Sequence, residues 1–267
     1  MEAMAPGVIR LREHTLELID AGRGRPMVFL HGGDGIDPRW PVLQHLASLG
    51  RLIAPSHPGF GHSALPAHFR SVDDLAYAYL DLFEQMNLED VVLIGTSLGG
   101  WIAAEIAVRS TARIGHLVLA DAVGIRCATD ETVADIADVF SLSPADIEAR
   151  AYADPARWRR SYDDCSDDEL LVMARNREAL SLYGWSPYLH NPILRHWLHR
   201  IDRPTLVLWG AADRITTPDY GRAWVEGIAG AQFTLIDNAA HHPHVEQADR
   251  FVREIAGFAG LADNRTA

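Results

Sequence analysis

VVLIGTSLGG (residues 91–100) carries a buried-strand pattern into a glycine and stops it on one small hydroxyl, Ser97. A helix-like run, GGWIAAEIAVRS, follows at once. Within the stretch, Gly95-Thr96-Ser97-Leu98-Gly99 matches G-x-S-x-G, a pattern that chance supplies in about one chain in ten of this length. Its setting adds weight. The pattern marks a reactive serine only where a strand runs in and a helix runs out, and both are present. A serine on a sharp, strained turn leaves no room for side chains two residues to either side, where they would strike the strand and the helix. The helix also aims its free amino-end N–H groups and its dipole at the hydroxyl, which favours negative charge developing there. The alternative is an ordinary glycine-rich turn.

Outward from this turn the chain alternates strand and helix patterns. VIRLREHTLELID (8–20) alternates apolar and polar residues, as one or two antiparallel strands at a sheet edge would. MVFL (27–30) ends in HGGDG, and RLIAP (51–55) ends in the loop SHPGFGHS. Both are short apolar runs of buried parallel-strand type. Helical spacing appears in PRWPVLQHLASLG (38–50) and in SVDDLAYAYLDLFEQMNL (71–88), which opens on a Ser cap and two acids. IGHLVLADA (114–122), TLVLWG (205–210) and FTLID (233–237) read as further strands. Helices are expected near Tyr220–Gly227 and over VEQADRFVREIAGFAG (245–260), with the last six residues frayed.

The middle differs. From about Ile125 to Arg200 no strand run stands out, and helical stretches such as ETVADIADVF (131–140) and DDELLVMARNREAL (167–180) fill it. The pattern predicts an α/β fold: a mostly parallel, twisted central sheet with helices on both faces. The core comprises residues 1–124 and 201–267, and 125–200 is a helical insertion over one end.

Bulk properties narrow the function. A chain of 267 residues buries roughly three quarters of its unfolded surface and needs no disulfide or metal staple. A net charge of −12 argues against nucleic-acid partners and anionic membrane surfaces. Cys127 and Cys165 form no CxxC or Cys/His metal spacing. No apolar signal-peptide core and no run of about 20 apolar residues is present, so a cytoplasmic location with reduced thiols is expected. A small-molecule substrate is the expected partner. The oligomeric state stays open, a homodimer included.

A serine hydroxyl is a weak nucleophile without a base. Two segments offer base and orienter. LWGAADRITTP (208–218) sets Asp213 just past one strand end, and LIDNAAHHPHVE (235–246) sets His241 just past the next. In an open parallel sheet, groups beyond the carboxyl ends of neighbouring strands converge on one rim.

HGGDG, GTSLGG, WGAADRITTP and AHHPHVE together resemble the α/β-hydrolase superfamily over nearly the whole chain, least in the insertion. The chain order Ser…Asp…His is that family's order. The resemblance implies Ser97 as nucleophile, His241 as base and Asp213 as acid. It also implies an oxyanion hole from the backbone N–H groups of Leu98 and Gly33, a helical cap at 125–200, and no cofactor. Gly32, Arg175 and Trp185 are candidates for the substrate pocket. Asp121 and Asp237 rival Asp213. His242 rivals His241, but the family spacing, with Pro two and Glu five residues after the histidine, fits His241–Pro243–Glu246. His241, His242 and His244 as a metal cluster lack a completing ligand pattern, so no metal is expected.

The leading expectation is a carboxylesterase-like serine hydrolase for small or medium acyl compounds. A second reading is a carbon–carbon bond hydrolase of the meta-cleavage-product type. DDELLVMARNREAL is similar to that group's cap, in which an arginine grips a substrate carboxylate, and Arg175 is the counterpart. Thr96 and His242 depart from that group's usual Asn and Trp. A third reading is a non-catalytic ligand-binding protein of the same fold.

Overall fold

Met27 and Phe29 face one side of a central sheet, Val28 and Leu30 face the other, and all four are fully buried. This is the period-two alternation of a strand covered on both sides, and it marks β3 (Pro26–Leu30) as a central strand. A computed structural model of the protein describes residues 3–128, 134–158 and 162–262. The sheet also contains β1 (Gly7–Leu11), β2 (His14–Ala21), β4 (Arg51–Pro55), β5 (Val91–Thr96), β6 (Ile114–Ala120), β7 (Thr205–Gly210) and β8 (Gln232–Ile236). Its order is β1-β2-β4-β3-β5-β6-β7-β8. β1 and β2 pair antiparallel, as does β2 with β4, and every neighbouring pair from β4 to β8 is parallel.

Helices α1 (Pro41–Leu49) and α10 (Ala248–Ala259) cover the face carrying Met27 and Phe29. Helices α2 (Val72–Gln85), α3 (Leu98–Arg109) and α8 (Pro218–Gly227) cover the other. α2 opens with the expected cap: Ser71 and Asp74 form a reciprocal capping box. From β3 the chain steps to β4 on one side, then returns by α2 to β5 on the other side of β3. The loops after β3 and β5 therefore part at a switch point, the place where open α/β sheets form a crevice.

Between β6 and β7 lie α4 (Pro144–Ala151), α5 (Pro155–Trp158), α6 (Asp167–Gly184) and α7 (Leu194–Trp197). No extended strand occurs among the described residues of 125–200, only isolated bridges such as Ile136 with Thr216. α6 starts from a Ser166–Glu169 capping box and is fastened to the loops after β3 and β4. The Asn176 side chain accepts from Gly61 N–H at 2.9 Å and donates to Asp34 O at 2.7 Å. Tyr183 Oη donates to Pro58 O at 3.0 Å.

Two expected helices differ. Residues 131–133 of ETVADIADVF lie outside the described residues, and 134–140 form no helix. Asp135 accepts from Cys127 and Ala128 N–H, and Asp138 accepts from Phe140 and Ser141 N–H. Such local side-chain bonds compete with a helical ladder. The helix expected over 245–260 is broken at Gln247 into α9 (Pro243–Glu246) and α10. The terminal residues 263–267 also lie outside the described residues.

Candidate active site

The turn between β5 and α3 is locked main chain against main chain. A Cβ on Gly95 would sit 2.2 Å from Gly99 O, and one on Gly99 would sit 2.0 Å from Leu30 O. No side chain fits at either position. Ser97 itself has φ +49° and ψ −115°, a sparsely populated conformation for a residue with a side chain. Its N–H donates to Ala120 O at 2.9 Å and its carbonyl accepts from Gly100 N–H at 3.0 Å, so β6 and α3 hold the corner from both sides.

The corner presents the hydroxyl to an imidazole. Ser97 Oγ lies 2.9 Å from His241 Nε2, and His241 Nδ1 lies 2.9 Å from Asp213 Oδ2. Asp213 is buried beyond the end of β7 and is held by four donors. Its Oδ1 accepts from Ile215 N–H (2.8 Å) and Thr216 N–H (3.2 Å), and its Oδ2 from Thr216 Oγ1 (2.9 Å) and His241. With Nδ1–H donated to Asp213, Nε2 is left to accept the serine proton. The rivals stand elsewhere. Asp121 is buried in the same cluster but makes its hydrogen bond to Gly210 N–H, not to His241. Asp237 is exposed at the end of β8.

His242 does not face Ser97. Its ring packs 4.9 Å from Tyr152, and its Nε2 is 3.6 Å from Asp34 Oδ2. Burial lowers His242 to about 4, which keeps it neutral. His244 is enclosed by Phe29, Trp40 and Phe251. Among the described residues, Asp121, Asp213 and His241 alone approach closely enough to share a cation. A cation there would compete for the atoms of the His241–Asp213 bond.

The loop after β3 passes directly over the serine. A Cβ on Gly32 would lie 3.2 Å from Ser97 Cβ, and one on Gly33 would lie 2.7 Å from Leu180 Cδ2 of α6. The N–H groups of Gly33 and Leu98 have no acceptor among the described residues. Behind the loop His31 donates from Nδ1 to Gly32 O (2.7 Å) and accepts at Nε2 from His57 N–H (3.0 Å). His57 returns a bond from Nε2 to His31 O at 2.9 Å. Burial lowers His31 to about 4 and His57 well below its ordinary value, so both work as neutral struts.

The cap-side candidates stand further out. Arg175 donates from Nη2 to Ser63 O at 2.9 Å. With Trp185, Arg70, Leu65 and Gly59 it lines an open groove to which neither Ser97 nor His241 contributes. Trp185 is 64% exposed. Trp101 is core, its Nε1 donating to Glu105 Oε1 at 3.0 Å. Sequence reasoning missed Thr216, whose signal was available as a threonine three residues after Asp213 in a turn. It also missed Asn176, a buried amide inside a helix with no local signal.

The chain matches the Alpha/beta hydrolase family over residues 27–254. It is 27% identical over 261 residues to a 2-hydroxymuconate semialdehyde hydrolase of Pseudomonas sp. (strain CF600), covering 92% of this chain and 90% of that one. It is 26% identical over 222 residues to 3-oxoadipate enol-lactonase 1 of Acinetobacter baylyi, covering 82% of each. A solved meta-cleavage product hydrolase from Pseudomonas fluorescens IP01, CumD, superposes with a TM-score of 0.77 at 22% identity, over 95% of this chain and 97% of that one. No helix among the described residues is long and apolar enough to cross a membrane. The serine corner, the neighbouring imidazole and carboxyl, and the eight-stranded sheet that unites them identify the chain as a member of the alpha/beta hydrolase family.

Proposed function

We propose that the protein is a serine hydrolase that cleaves carboxylic esters of small or medium acyl compounds through an acyl-enzyme. The observation that carries this reading is the unbroken chain Ser97 Oγ–His241 Nε2 and His241 Nδ1–Asp213 Oδ2, each link 2.9 Å. Ser97 attacks the ester carbonyl carbon while its proton passes to His241 Nε2. The tetrahedral oxyanion is held by the N–H groups of Leu98 and Gly33, each worth about 3 kcal/mol. His241 then returns the proton to the departing alcohol oxygen and the C–O bond breaks. Water, deprotonated by His241, attacks the acyl-enzyme carbonyl and releases the acid and Ser97. Asp213 orients the imidazole and balances its charge. Residues 125–200 act as the cap, with Leu180 of α6 against Gly33 and Gly32 against Ser97.

A second reading, hydrolysis of a carbon–carbon bond in a vinylogous diketone acid, draws support from relatives named for such substrates. Arg175 would need to leave Ser63 O and turn inward to hold the substrate carboxylate. Thr96 and His242 stand where that group carries Asn and Trp, which keeps the ester reading first. A panel of nitrophenyl esters of graded chain length, lactones and dienoate ketones tests the order. Ester turnover abolished by Ser97→Ala supports the proposal. Turnover of the dienoate alone reverses the two readings, and no turnover of any member removes both.

A further inference from the structure

Asp121 is a carboxyl group that the mechanism above does not use. It follows the end of β6 with φ +44°, and it is fully buried. Its N–H donates to Leu208 O at 3.1 Å and its Oδ1 accepts from Gly210 N–H at 2.8 Å. Its Oδ2 is buried with no hydrogen-bond partner. No arginine or lysine pairs with it among the described residues. One oxygen of Asp121, one of Asp213 and one nitrogen of His241 lie within 4.8 Å of one another.

Two buried carboxyl groups at this separation cannot both ionise, because neither can dilute the other's charge into water. The proton settles on the group with fewer donors. Asp213 has four and Asp121 has one. We propose that Asp121 and Asp213 hold one proton between them, and that neutral Asp121 is a positioning residue confining the single negative charge to the carboxyl that faces His241.

Other groups push the same way. Burial and the charge of Asp213 raise Asp121 well above the usual carboxylate range, and Glu246 on α9 adds to the rise. The orphaned Oδ2 carries the proton. An ionised Asp121 would instead set a second negative charge beside His241. That charge would favour the imidazolium before substrate arrives and remove the free base from the resting enzyme. The inference rests on the serine-hydrolase reading for its consequence, but the protonation state is measurable without turnover.

The first measurement is infrared difference spectroscopy of the whole protein with carbon-13-labelled aspartate at pH 7. A protonated-carboxyl C=O band is expected in the wild type and in Ser97→Ala, and its absence from the wild type overturns the proposal whatever the protein hydrolyses. Loss of the band in Asp121→Asn assigns it. The second measurement is the pH profile of kcat/KM on a turned-over ester. Asn is a neutral mimic that keeps the acceptor for Gly210 N–H, so its acid limb should stay within about 0.3 pH unit of wild type with kcat within about threefold. If Asp121 were ionised, the substitution would delete a charge near His241 and pull the acid limb down by about one pH unit or more, which overturns the proposal.

Discussion

The backbone N–H of His241 donates to the carbonyl oxygen of Ala151, at 3.0 Å, so the last residue of α4 helps to place the imidazole. Glu246 closes the same joint. Its Oε1 accepts from Ala153 N–H at 2.9 Å and its Oε2 from Ala240 N–H at 2.7 Å. One carboxyl group thus ties the inserted helices to the residue before His241. Glu246→Ala leaves the buried Ala240 N–H without a partner, at about 1–3 kcal/mol, while Ala153 N–H is exposed and turns to water. The expected outcome is a stability loss of about 1–3 kcal/mol in urea titration, with kcat reduced at least about tenfold. A loss of stability with kcat untouched would show that the joint does not set the imidazole.

The assignment of His241 over His242 predicts an unequal pair of variants. His241→Ala removes the partner of both Ser97 and Asp213, and turnover should fall by about 10⁴-fold or more. His242→Ala removes a ring packed on Tyr152 and 3.6 Å from Asp34, and should keep turnover within about tenfold. Steady-state kinetics on one ester decides, and the reverse ranking would refute the register.

Glycine substitutions should divide by the space above each Cα. Gly99→Ala drives a methyl against Leu30 O at 2.0 Å, main chain that cannot give way. Misfolding, or a loss of about 4 kcal/mol or more, is expected. Gly257 lies in α10, is exposed, and has nothing within 4 Å of its would-be Cβ. Gly257→Ala should stabilise by about 0.5–1 kcal/mol through helix propensity. Thermal melts of the two variants test the contrast.

Stability should fall on mild acidification. His31 and His242 are lowered to about 4, and His57 and His244 well below their ordinary value, in each case chiefly by burial. Between pH 6.5 and 4 the unfolded chain therefore binds protons that the folded chain refuses, so stability rises with pH across that window and drains as pH drops through it. Asp121, raised by burial, carries its proton into the folded state and offsets one of the four. Among these five groups the net is about three protons, or up to about 4 kcal/mol per pH unit near pH 5, and His14 and His116, also lowered chiefly by burial, act in the same direction. Urea midpoints measured at pH 7, 6 and 5 should descend with increasing slope, and a flat series would contradict the buried neutral histidines.

Much of the molecule was legible because its signals are local and strong. The β3 and β5 runs are apolar on both faces, and β5 ends on a corner that only glycines can flank. Ser97, Asp213 and His241 each follow a strand end, which sets them on one rim, and the family spacing singled out His241 over His242. What escaped depends on partners distant in sequence. Asn176 gains meaning only from Gly61 and Asp34, and the charge state of Asp121 only from Asp213. Of the helix expected at 131–140, residues 134–140 are not helical, because Asp138 caps the chain's own N–H groups, a competition that apolar spacing does not register. Arg175 matched a pattern by position, yet its guanidinium meets Ser63 O.

The interlock of Gly95, Gly99 and Leu30 is built wholly from backbone atoms, so the address of residue 97 does not depend on which reactive atom it carries. Oxygen can be exchanged for sulfur there while the scaffold keeps its form, which makes reactivity and architecture separately heritable in this molecule.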